Sequence, residues 1–97
     1  MSTLHVLSHS PFGDDRLTSC LRLMGADDAL LLTGDAAYAL QPGTAPFNAL
    51  NARNLKLFVL AEDAQARALE IPDTVTAIDY PAFVELSIDY DKVNSWL

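Results

Sequence analysis

The run from Ala29 to Thr33 reads ALLLT, apolar at consecutive positions rather than at alternate ones. A run this short is a strand, and a strand apolar on both faces has to be covered from both sides. Similar pieces recur along the chain. Leu4 to Leu7 is apolar and partly β-branched, Leu55 to Leu60 (LKLFVL) carries the strongest strand signal, and Val75 to Ile78 is a fourth. Helical stretches separate them. A helix capped by Asp14 or Asp15 runs to about Met24, with Gly25 as its C′ residue. Gly34 and Asp35 open a short helix, GDAAYAL, that stops before Pro42. Ala45 to Arg53 reads as a ragged helical turn or an irregular crossover. Glu62 to Glu70 is a third helix, with acids in its first turn where the helix dipole favours them. Pro81 to about Ile88 is a fourth helix, and Lys92 to Trp96 a short last strand. Strands alternating with helices predict an α/β fold, a small three-layer sandwich with a mainly parallel sheet of four or five strands.

With 97 residues the chain is expected to form one domain, residues 1–97, and to bury about two thirds of its unfolded surface. Apolar residues make up 51%, more than so small a fold can hide, so some apolar surface should await a partner. Thirteen acids against six scattered cations give a net charge of −7. No basic stripe can form, which argues against direct nucleic-acid binding and against an anionic membrane surface. No secretory signal is evident, and the apolar runs are too short to cross a bilayer, so the expected location is the cytoplasm. A single cysteine, Cys20, excludes an intrachain disulfide framework and fits a reducing compartment.

Few residues announce chemistry. Neither a dinucleotide-binding glycine fingerprint nor a P-loop is present, and no cofactor is expected. His5 falls within the first strand and reads as a half-buried strand residue. His9 lies in the loop at the carboxyl end of that strand, the edge where open α/β sheets bind ligands. Ser10, Asp35 and Asp79 could join it there. His9, Cys20 and Asp35 are the types that could hold zinc, but nothing in their spacing demands it, and no metal is expected. The acidic pairs Asp14-Asp15, Asp27-Asp28 and Glu62-Asp63 sit at helix starts or turns and read as caps. On a helical wheel Leu17, Leu21 and Met24 form one stripe. Cys20 falls beside it and Leu23 further round, so part of this wide apolar arc needs cover other than the sheet. Cys20 is a small buried hydrophobe, a subunit contact or a reactive thiol, and reactivity requires thiolate. Trp96, the only tryptophan, packs on its own core or anchors another subunit.

Three stretches taken in order carry a resemblance. They are LHVLSHSPF with LTSCLRL (residues 4 to 23), LLLTGDAAYAL (30 to 40), and AIDYPAFVEL with the terminal NSWL (77 to 86 and 94 to 97). Together they resemble the DsrH/TusB family, the small subunit of sulfur-relay complexes. The resemblance implies a DsrEFH-like fold and a heterohexamer with TusC/DsrF-like and TusD/DsrE-like sister subunits. It further implies that persulfide sulfur passes to a downstream sulfur-accepting protein, towards 2-thiolation of wobble uridine in tRNA. In related complexes the sulfur serves dissimilatory oxidation. Cys20 stands where DsrH-type members carry a cysteine. The principal sulfur-accepting cysteine of such complexes belongs to the DsrE/TusD-type subunit, and the comparable segment here, Ala61 to Gln65, has none.

The expectation is an accessory subunit, not catalytic alone, with Leu23 and Trp96 at subunit interfaces. One rival makes Cys20 a catalytic persulfide acceptor. Another makes the chain a free-standing module that binds a small ligand near His9 and Asp35.

Overall fold

The computed structural model describes residues 2–96. Five strands form one sheet: β1 (Thr3–Leu7), β2 (Ala29–Leu32), β3 (Lys56–Leu60), β4 (Val75–Ile78) and β5 (Lys92–Trp96). Their spatial order is β4-β3-β2-β1-β5, and every pairing is parallel. Parallel neighbours need crossovers, and these are supplied by α1 (Arg16–Leu23), a 3₁₀ segment (Gly34–Leu40) followed by α2 (Ala45–Asn51), α3 (Ala61–Ala66) and α4 (Tyr80–Asp89). The predicted α/β sandwich is therefore present, with five strands.

The strand order fixes where the helices lie. From β1 to β4 the chain steps across the sheet in one direction, so right-handed crossovers put their helices on one face. From β4 it returns past β1 to the far edge, which sends α4 over the opposite face. The side chains follow with the period of two. Leu7, Leu30, Leu32, Leu57, Val59 and Val75 enter the larger core, with Leu17, Cys20 and Leu21 of α1, Leu40 of the 3₁₀ segment, Leu50 of α2 and Ala64 of α3. Leu4, Ala29 and Leu31 face the other way and meet Phe83 and Leu86 of α4, together with Val6, Phe58 and Ile78. β2 is buried at all four positions because it is the central strand with both faces covered. Each of its three leucines contributes about 2 kcal/mol by leaving water.

Several ends differ from expectation. Asp15 takes the N-cap position of α1 without a side-chain bond to the helix. Instead the Asp14 carboxylate accepts from the Arg16 N–H at 3.0 Å and pairs with the Arg16 guanidinium. Gly25 does not adopt the left-handed C′ conformation. The end of α1 is closed by the Arg53 guanidinium, which donates to the Leu21 carbonyl. Ala45 to Asn51 is a regular helix rather than an irregular crossover. Thr44 caps it by accepting from the Phe47 N–H, and Pro46 sits in its first turn, where a missing N–H costs little. α3 stops at Ala66 because Ala68 turns to φ 53°, and the Leu69 N–H then bonds back to the Ala64 carbonyl at 3.0 Å. α4 begins on Asp79, whose carboxylate accepts from the Ala82 N–H at 2.9 Å.

Candidate functional site

α1 carries Cys20 directly into the larger core, where it is 0% exposed. Burial pushes its thiol up to about 12, with the Asp28 charge adding to the effect and Arg53 opposing it. In this conformation the sulfur is protonated at neutral pH and out of reach of solvent. Persulfide chemistry on Cys20 requires an opening of α1 away from the sheet.

At the carboxyl edge of the sheet the polar groups are engaged within the chain. The Thr33 N–H and hydroxyl both donate to the Leu7 carbonyl at 2.9 Å, tying β1 to β2. Gly34, at φ 51°, donates its N–H to Asp63 Oδ2 at 2.8 Å. A Cβ there would lie 3.3 Å from the Ser8 carbonyl oxygen. Asp35 accepts from Arg67 at 2.8 and 3.1 Å, and the same guanidinium lies 5.8 Å from the centre of the Tyr38 ring. Bonding and charge from Asp35 raise the Arg67 pKa. The expected quartet of His9, Ser10, Asp35 and Asp79 is thus divided among separate tasks. Asp35 is held by Arg67, Asp79 caps α4, Ser10 Oγ accepts from the Phe12 N–H at 3.2 Å, and His9 is exposed. Among the described residues no three His, Cys, Asp or Glu side chains gather closely enough to hold a metal ion, so His9, Cys20 and Asp35 do not form a joint site.

The closest-knit polar group lies elsewhere. Trp96 packs on the larger core and donates its Nε1–H to His5 Nδ1 at 3.1 Å. Indole can only donate, so His5 Nδ1 must accept and the proton of the neutral ring sits on Nε2. That nitrogen faces Asp28 Oδ2 at 3.2 Å. Asp28 also accepts the Thr3 N–H and the Gly25 N–H, both at 2.9 Å. Burial opposes the Asp28 charge, but the bonds from Gly25, His5 and Thr3 outweigh it and hold the carboxyl below its ordinary value. The chain Trp96–His5–Asp28 joins β5, β1 and the turn before β2. The parallel register explains it: Trp96 pairs with Leu7 and His5 with Asn94, so indole and imidazole sit two residues apart on one face. Reading along the sequence gave His5 only as a half-buried strand residue and Asp28 as a turn acid. Their meeting with Trp96 depends on a pairing between the two ends of the chain.

Among the described residues apolar surface remains open at Val93 on the edge strand β5 and at three further places. Leu23, at the end of α1, is 68% exposed. A shallow depression of about 390 Å³ between α1 and α2 is walled by Pro11, Phe12, Leu17, Leu21 and Pro46. The outer side of α4 exposes Tyr80, Val84 and Ile88. No helix among the described residues is long and apolar enough to cross a membrane.

Comparison with known proteins agrees with this architecture. The family model of the DsrH like protein matches residues 9–93. Protein TusB of Erwinia tasmaniensis is 38% identical over 95 residues, covering 96% of this chain and 99% of that protein. Protein TusB of Yersinia enterocolitica is 35% identical and that of Enterobacter sp. (strain 638) 36% identical, with the same coverage. The crystal structure of the ychN protein from E. coli superposes with a TM-score of 0.72 over 99% of this chain and 100% of that one. At 17% identity it supports the fold alone. The sequence pattern, the five-stranded parallel sheet and these matches converge: the chain belongs to the DsrH family, whose TusB members are its relatives along nearly its whole length.

Proposed function

We propose that residues 1–97 act as one DsrH/TusB-type domain, an accessory subunit of a cytoplasmic hetero-oligomer. This complex passes persulfide sulfur towards 2-thiolation of wobble uridine in tRNA. Its companions are TusC/DsrF-like and TusD/DsrE-like sister subunits, and sulfur leaves through the complex to a downstream accepting protein. Membership of the family and the TusB relatives support the sulfur-relay setting. The accessory role is carried by one observation: the only thiol of the chain is wholly buried and held protonated. A carrier needs a thiolate that donor and acceptor can both reach. Here Cys20 fills core space as a small hydrophobe. Leu23 and the open part of Trp96 belong, in this reading, to surface that sister subunits cover.

Co-expression with the two sister subunits, followed by mass measurement of the purified particle, tests the assembly. A joint particle is expected, and a chain that stays alone refutes the reading. A labelled sulfur donor then tests the role. The expected label falls on a sister subunit, with Cys20→Ala retaining the particle and most of the tRNA thiolation. A one-sulfur mass gain on Cys20, with thiolation abolished in Cys20→Ala, makes it an obligatory carrier instead.

A further inference from the structure

α4 buries one side and leaves another unexplained. Phe83 and Leu86 pack on the smaller core. At about 100° per residue, Tyr80, Val84 and Ile88 fall on a separate stripe turned away from that core. They are 54%, 58% and 77% exposed. On a surface helix of a solitary domain this side is ordinarily polar. Three large apolar side chains one turn apart, each more than half exposed, leave the chain open to nonspecific association.

From Asp79 to Asp91, along α4 and at its two ends, every charged residue is acidic. α4 contains no Lys or Arg. Glu85 and Asp89, both exposed, run along one flank, and exposed Asp79 and Asp91 bracket the helix. We infer that the outward stripe of α4 is a docking surface for a second, non-identical polypeptide presenting an apolar ridge flanked by Lys or Arg. A second copy of this chain is a poor occupant. With the two helices antiparallel across a two-fold axis, Glu85 and Asp89 of one copy would lie on the same side as those of the other, and in any arrangement two molecules of net charge −7 repel. The inference rests on the proposed assembly and adds to it the face used and the chemistry of the neighbour.

The test uses the sister subunits as probes, with binding followed by titration and gel filtration. Val84→Glu/Ile88→Glu should weaken capture by one sister subunit at least tenfold, with an unchanged melting temperature. Ile88→Ser, at the most exposed position, should act in the same direction should the double variant fold poorly. Glu85→Gln/Asp89→Gln should also weaken binding and flatten its salt dependence. If all three variants bind like the parent chain, the docking face is refuted while the relay reading stands. If the parent chain binds neither subunit, the assembly reading falls and this face with it. A homodimer of the isolated chain that Val84→Glu/Ile88→Glu dissolves would show the occupant to be a second copy and overturn the inference.

Discussion

Native Cys20 should react with a thiol-alkylating reagent at least a thousandfold more slowly than an unfolded cysteine. The reagent attacks thiolate, and well below the pKa the thiolate fraction falls tenfold for each unit by which the pKa rises. Burial moves this thiol from 9.0 to about 12. Near pH 8 that alone lowers the thiolate population by about a thousandfold. Exclusion adds to it, because Cys20 is fully enclosed among α1, the sheet and their neighbours, and a reagent must wait for an opening. The remaining path is modification through opened molecules, whose rate follows the opening equilibrium when reclosing is fast. The assay is iodoacetamide labelling read by intact mass, in buffer and in denaturing urea. The urea sample should label promptly and the native sample over hours. The native rate should climb along the same urea dependence as unfolding. Native labelling as fast as that of a free thiol would refute both the burial argument and the accessory role built on it. Repeating the measurement within the assembled complex separates a thiol that is always inert from one that partners expose.

Other perturbations probe the polar chain and the turns. Trp96→Phe removes the donor to His5 Nδ1 and leaves a buried acceptor unpaired, which should cost about 1–2 kcal/mol in urea denaturation. Asp28 has a depressed folded pKa, so its contribution is complete above the unfolded carboxylate value and is lost as pH falls through the lower folded value. Stability should therefore decline below about pH 4, and Asp28→Asn should be less stable at neutral pH and less sensitive in that window, as read from urea midpoints against pH. Ala68→Gly relieves a left-handed alanine at φ 53°. The relief of about 1 kcal/mol or more, less the extra freedom of glycine in the unfolded chain, should raise stability by about 0.5 kcal/mol, visible as a higher melting temperature.

The parts of the fold legible in the sequence are those decided by neighbours along the chain. β2 read as a strand covered on both faces because four successive apolar positions leave no side for water. α4 announced itself through Pro81 and the apolar residues after it, while its cap, Asp79, read as a residue of the ligand-binding edge. Thr44 and Pro46 carried the same information for α2. The sequence left Ala45 to Arg53 open between a helical turn and an irregular crossover, and the Thr44 cap is what makes the helix regular. The end of α3 was hidden for a physical reason. Ala68 is a good helix former, and only the packing of Leu69 and Ile71 on the core turns the chain there. Cys20 looked marginal on the wheel of α1 because the wheel knows only the sheet. Residues from the 3₁₀ segment and α2 belong to the same core and close the remaining side. The Trp96–His5–Asp28 chain was out of reach, since its first bond spans 91 residues and exists only because β5 pairs with β1.

The topology also explains why apolar surface gathers on α4 rather than on the sheet beneath it. Five strands about 4.8 Å apart span about 19 Å between the outer two, while a helix with its side chains is about 10 Å across. Four helical segments cover one face, but the single return from β4 to β5 brings only one helix to the other. α4 lies over Leu4, Ala29 and Leu31 of the two strands β1 and β2, which are buried. Towards the edges the same face carries Phe58 and Ile78, half-buried against the smaller core, and the exposed Lys56, Thr76, Ser95 and Val93. Three of those four exposed positions are polar. Tyr80, Val84 and Ile88, by contrast, are apolar and each is more exposed than Val93. An apolar surplus forced by small size would fall first on the sheet flanks, where cover is geometrically short. Its presence on the outside of the covering helix, above flanks whose exposed positions are mostly polar, is what the proposed docking face accounts for.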